Sequence, residues 1–184
     1  NANPQDNELL RRLEQLEPRI TLQKILSQAF EEFKAGNLDQ AEKMFNGIPG
    51  AEQDPEALVG LASIALTRED FDKAVKLLYQ ARDLAPQRTE LWQQSLQSAE
   101  LWQEIKRANA LRRDGRLDEA QTILERAATS TAAERYQAVL ALVEVLLERN
   151  NITRAQYILQ ELLTSPPNDA TCLRRLVSLL LRAN

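Results

Sequence analysis

Chemistry needs ionisable, nucleophilic or metal-binding side chains at defined spacings, and this sequence offers few. It has no histidine and one cysteine, Cys172. That removes His/Cys metal sites, Ser-His-Asp and Cys-His catalysis, and any disulfide within the chain. Acidic pairs stand at Glu31/Glu32 and Asp70/Asp72, and a carboxylate pair hydrolyses glycosides when one member is buried with a raised pKa. Neither pair has a sequence surrounding that would bury it. Asp70 and Asp72 read as turn and first-turn residues, which the helix dipole favours. The stretch NGIPGAEQ (46–53) lacks the lysine that a phosphate-cradling loop carries after its glycines. The basic residues Lys106, Arg107, Arg112, Arg113 and Arg116 gather near a predicted helix end, where cations suit the dipole. A net charge of −4 argues against nucleic acid as a partner, because phosphate binding needs a basic face. The expectation is therefore no enzyme, no cofactor and no metal.

The elements around these residues are helical. Gly is only 5 in 184 residues and 27% are charged, which favours long helices over loop-rich sheet. Cys172 falls in an apolar helical pattern, where a lone cysteine packs as a small hydrophobe and leaves the redox compartment undecided. No apolar run approaches the roughly 18 residues of a membrane span. The opening NANPQDNELL is polar and is no signal peptide, though a trimmed chain would have lost one.

Four strings superimpose without gaps: GNLDQAEKMF (36–45), EDFDKAVKLL (69–78), GRLDEAQTIL (115–124) and NNITRAQYIL (150–159). Each has an apolar residue (Leu38, Phe71, Leu117, Ile152), an alanine three later (Ala41, Ala74, Ala120, Ala155) and a large apolar residue four after that (Phe45, Leu78, Leu124, Leu159). Offsets of three and four put them on one helical face. Twelve residues before each alanine stand Ala29, Ala62, Ala108 and Val143, small enough for two helices to approach closely. Asp54-Pro55 is an N-cap followed by first-turn proline, while Pro86 and Pro167 stop the second helices of their pairs. The pattern predicts helices at about 7–16, 20–35, 38–48, 55–68, 71–84, 88–113, 117–129, 132–149, 152–164 and 168–183.

A helix–turn–helix unit of about 34 residues with these offsets resembles the tetratricopeptide repeat family. The resemblance implies an all-α superhelix, a solenoid of helical hairpins, whose first helices line a concave groove. In the first two repeats that groove would be lined by Gln23, Phe30, Phe33, Val59, Ser63 and Leu66, too poor in cations to clamp a terminal carboxylate. The last predicted helix would leave Leu173, Leu176, Val177 and Leu180 uncovered, which reads as a truncated last repeat of a longer protein or as a surface for self-association.

The repeat alanines lie 33, 46 and 35 residues apart, so the pattern slips within TELWQQSLQSAELWQEIKR (89–107). An unbroken helix from Thr89 to Arg113 would rotate the second frame by about 120° and displace it about 18 Å. The expectation is an extra-long or additional helix at 87–113 that changes the superhelix direction. The domains divide accordingly into an N-terminal helix with two repeats (1–86), an irregular linking region (87–113) and further repeats (114–184). Trp92 takes a core position. Trp102 falls on the groove side with Ile105, Asn109 and Arg112, where its flat face could meet a glucan or a partner segment.

LW at 91–92, LW at 101–102 and RRDGRLDEA (112–120), together with DPEALVGLASIALTREDFDKAVKLL (54–78) and AVLALVEVLLERNN (138–151), look like the periplasmic repeat region of bacterial cellulose synthase C subunits. That resemblance implies a periplasmic arm of an exopolysaccharide exporter of the outer membrane. Its expected partners are other proteins of a secretion or synthase complex, with a glucan chain or peptidoglycan as further contacts. A cytoplasmic peptide-binding adaptor and an arm of another exopolysaccharide exporter are the alternatives.

Overall fold

The computed structural model describes residues 4–164 and 170–183, with side chains from residue 19 onward. Among the described residues every regular element is helical. The chain forms two compact units, Asn1–Trp92 and Gln93–Asn184.

The first unit holds α1 (Pro4–Lys34), α2 (Leu38–Asn46), α3 (Pro55–Thr67) and α4 (Phe71–Leu84), with 3-10 turns at Ala51–Gln53 and Pro86–Leu91. The second holds α5 (Gln93–Arg113), α6 (Leu117–Ala127), α7 (Arg135–Glu148), α8 (Ile152–Thr164) and α9 (Ala170–Ala183). Two expectations need correction. The helices predicted at 7–16 and 20–35 are one helix that runs through Pro18; a proline removes one main-chain donor without forbidding its neighbours' hydrogen bonds. The helix expected to run unbroken from Thr89 to Arg113 is interrupted. Pro86 starts a 3-10 turn, and Trp92 leaves helical dihedrals (φ −127°, ψ 11°) before α5 begins. The rotation and displacement worked out for an unbroken helix therefore do not apply. At 21 residues α5 is still longer than α6 to α9, which have 11 to 14. Pro167 lies outside the described residues.

Each hairpin turns in the same way. Five residues before each repeat alanine, Gly36 (φ 83°), Glu69 (φ 58°), Gly115 (φ 76°) and Asn150 (φ 58°) are left-handed. The next amide then donates back across the turn: Asn37 to Glu32, Asp70 to Ala65, Arg116 to Leu111 and Asn151 to Leu146, at 2.8–2.9 Å. This closing pattern satisfies the last carbonyls of the first helix. Asp54 caps α3 by accepting from the Ala57 amide at 2.8 Å, and Asp70 caps α4 through the Lys73 amide at 3.3 Å. Asp72 lies in the first turn of α4, as its sequence position suggests.

The close-approach positions behave as one set. Ala29, Ala62, Ala108, Val143 and the four repeat alanines are all 0% exposed, so the paired helices meet where their side chains are smallest. Phe45, Leu78, Leu124 and Leu159 fill the space beside them. In the first unit α3 packs against α1, α2 and α4; in the second α7 packs against α5, α6, α8 and α9. These central helices are apolar round most of their circumference, as helices packed on several sides require.

Ion pairs staple neighbouring repeats within each unit. Six residues before the repeat alanine, Arg68 pairs with Asp39 and with Glu42 at 2.5 Å, and Arg149 pairs with Asp118 at 2.5 Å and donates to Gln121. The acceptors occupy equivalent positions, two before and one after the preceding repeat alanine. The residue just before the alanine adds Lys73–Glu42 at 3.1 Å and Arg154–Glu125 at 2.8 Å. The first repeat of each unit lacks these cations, having Ala35 and Gln40, or Asp114 and Glu119.

Candidate partner-binding face

The second unit brings its first-type helices α5, α7 and α9 side by side, and the charged residues on them form one network. Glu144, on α7, accepts from Arg112 of α5 and from Arg175 of α9, whose Nε and Nη2 lie 2.8 and 2.7 Å from Oε1. The Arg112 Nε is 3.8 Å from Glu148. Arg175 also donates to Gln137 Oε1 at 3.2 Å, and the Gln137 amide reaches the Cys172 sulfur at 3.0 Å. Burial pushes the Glu144 carboxyl up, but the hydrogen bonds and charges of the two arginines outweigh it and hold it below the ordinary 4.5. Glu42 is likewise lowered, by hydrogen bonds from Arg68 and Lys73, and Glu119 by Arg116. A general acid needs the opposite shift.

The residues singled out from sequence divide on this geometry. Trp102 is half-buried and packs against the core of the second unit. Asn109 is half-buried on the same helix. Ile105 is 5% exposed and lies in the core of the second unit with Leu101 and Ala108, so it is a core residue rather than a groove residue. Arg112, expected on the groove side with Trp102, has its guanidinium engaged by Glu144. In the first unit Phe30 meets Phe45 edge-on, with centroids 4.9 Å apart at 74°, and Phe33 packs half-buried against the same core. Ser63 donates to its own helix at Val59 O, 2.8 Å.

Burial also revises the expected open face of α9. Leu176 is buried and Leu180 half-buried, because α9 packs on both α7 and α8. Leu173 and Val177 are exposed as expected, and Leu181 continues their stripe. Cys172 is buried, as its apolar pattern suggests. The basic cluster near the end of α5 is dispersed in local contacts: Arg113 donates to the Asn109 carbonyl at 3.3 Å and Arg116 pairs with Glu119 at 2.5 Å.

The Glu144 network was not foreseen from sequence. Its signal is the single acid inside AVLALVEVLL (138–147), placed 32 residues after Arg112 and 31 before Arg175, which is close to one repeat in each direction. A second unforeseen feature is a cavity of about 200 Å³ between α7 and α8, lined by Arg135, Tyr136, Val139, Ile158, Glu161 and Leu162.

Two family models described as tetratricopeptide repeat match residues 26–89 and 111–180, which together cover most of the chain and fall on the two sides of the slip. The chain belongs to the tetratricopeptide repeat family. This tetratricopeptide repeat chain is also 33% identical, over 135 residues, to the cellulose synthase operon protein C of Xanthomonas axonopodis pv. citri (strain 306). The match takes in 68% of this chain and spans only 9% of that relative's length. A solved structure, from a functional characterization of Pseudomonas aeruginosa pilF, aligns with 90% of this chain and 70% of its own at 16% identity, with a TM-score of 0.46. Among the described residues no helix is long and apolar enough to cross a membrane.

Proposed function

We propose that this chain is a non-catalytic scaffold: part of the periplasmic arm of a bacterial cellulose or related exopolysaccharide secretion system, holding proteins of the synthase and export machinery in register. The observation that carries this reading is the 135-residue match at 33% identity to a cellulose synthase operon protein. The geometry supports a binding role without chemistry. The arginines of the first-helix face are neutralised by Glu144 and Glu148, so the face is polar and near neutral, suited to a protein partner held by shape and hydrogen bonds rather than by one terminal carboxylate. Half-buried Trp102 and Asn109 border that face, and Phe30 and Phe33 support its counterpart in the first unit. The region 87–113 would join the repeats of 1–86 to those of 114–184.

Alkaline phosphatase fused after residue 184, in the natural chain that contains this segment, reports the compartment. Active fusions in intact cells support the periplasmic arm. Inactive fusions of full length would leave the cytoplasmic peptide-binding adaptor in its place.

A further inference from the structure

The cavity between the first two turns of α7 and the last turns of α8 is small, about 200 Å³, below the range of about 300–1,000 Å³ that takes drug-sized ligands. It suits one ring. Its floor is apolar, from Val139, Ile158 and Leu162, beside the ring of Tyr136. Its rim carries Arg135 and Glu161, both exposed and of opposite sign. The Arg135 guanidinium is stationed 5.1 Å from the Tyr136 ring centre. Glu161 accepts a hydrogen bond at 2.8 Å from the hydroxyl of Tyr157, one turn earlier on α8 and 61% exposed.

This combination selects a neutral ligand with an apolar face and a hydroxylated edge. An anion would gain from Arg135 and lose to Glu161, and a cation the reverse. A β-linked pyranose has its hydroxyls around the equator and C–H groups on both faces. A C–H face matches the aliphatic floor of Val139, Ile158 and Leu162, beside the Tyr136 ring over which the Arg135 guanidinium lies. The equatorial hydroxyls match a carboxylate that accepts and a guanidinium that donates. We propose that this cavity is a subsite for one pyranose ring of a neutral β-glucan, a weak contact along which an exported chain is steadied. The choice of a β-glucan rests on the exporter-arm reading; the neutral pyranose rests on the cavity alone.

Amide NMR of the 184-residue chain titrated with cellotetraose tests it, with maltotetraose and an amphipathic leucine-rich peptide as comparison ligands. The expected result is saturable shifts confined to residues 135–139 and 157–162, at ~1 mM affinity. Glu161→Gln and Arg135→Gln change exposed rim residues and should each weaken binding roughly tenfold without altering the spectrum elsewhere. No shifts with either saccharide, shifts centred on Trp102 instead, or shifts at the cavity with the peptide alone would each overturn the subsite. Equal response to maltotetraose would keep a saccharide subsite and overturn its assignment to β-glucan. A silent cavity alongside an active periplasmic fusion would remove this subsite and leave the arm standing.

Discussion

Gly60 sits in the middle of α3, where glycine is usually a weakness, and the structure gives it a reason. A Cβ on Gly60 would overlap the Phe45 ring at Cζ and Cε1 and stand 2.6 Å from Cε2. Phe45 cannot easily yield: it is fully buried in the core of the first unit, with the Phe30 ring edge-on against it. On an exposed helix Gly→Ala would stabilise by about 0.5–1 kcal/mol. Forcing a methyl into a filled core costs about 1–3 kcal/mol. Overpacking wins, and Gly60→Ala should destabilise by about 1–2 kcal/mol, lowering the melting temperature of the first unit by roughly 5–10 °C. Thermal melts of Gly60→Ala, Phe45→Leu and the double variant separate packing from helix propensity. The smaller Leu should remove the overlap, so the double variant should be more stable than the sum of the single effects by at least ~1 kcal/mol. A Gly60→Ala protein that melts higher than the parent, or strictly additive effects, would refute the reasoning.

Other outcomes follow from the same contacts. Trp92 is 4% exposed with an indole N–H that finds no acceptor, so Trp92→Phe should stay within about 1 kcal/mol of the parent while Trp92→Ala loses about 3–5 kcal/mol; equal losses in denaturant titrations would contradict this. The lowered carboxyl of Glu144 contributes stability that is present above its unfolded value near 4.5 and is lost as pH falls below it through the folded pKa. Glu144→Gln should therefore flatten the acid limb of the stability profile of the second unit and cost about 1–3 kcal/mol at neutral pH; an unchanged acid limb counts against the network. Arg149 and Asp118 are 35% and 83% exposed, so Arg149→Ala should cost only about 0.2–1 kcal/mol, less in high salt, and a loss above ~2 kcal/mol would show that the staple was underrated.

The repeat was legible because its signal is local and fourfold. Small residues at two fixed positions twelve apart have one physical use, close helix approach, and all eight are fully buried. The caps at Asp54 and Asp70 were equally readable, since capping depends on residue type and on the next three amides. The break at Trp92 was not: Pro86 predicts a stop, but the return to helix at Gln93 depends on burying an indole, a tertiary event. Ile105 shows the same limit. Counting from Ala120 placed it on the groove side, whereas the core of the second unit decides the face. The Glu144 network joins three helices across offsets of 31 and 32 residues, which a motif search within one helix does not sample. The cavity at α7 and α8 depends on side chains that fall short of filling a gap, and composition carries no trace of it.

The proposed role of this segment in secretion is tested in a cellulose-secreting bacterium by deleting the segment corresponding to residues 1–184 from the full-length protein and measuring cellulose at the cell surface beside glucan synthesis in isolated membranes. Membrane synthesis is expected to persist while surface cellulose falls sharply. Surface cellulose at the parental level, with the shortened protein present in normal amount, would contradict it.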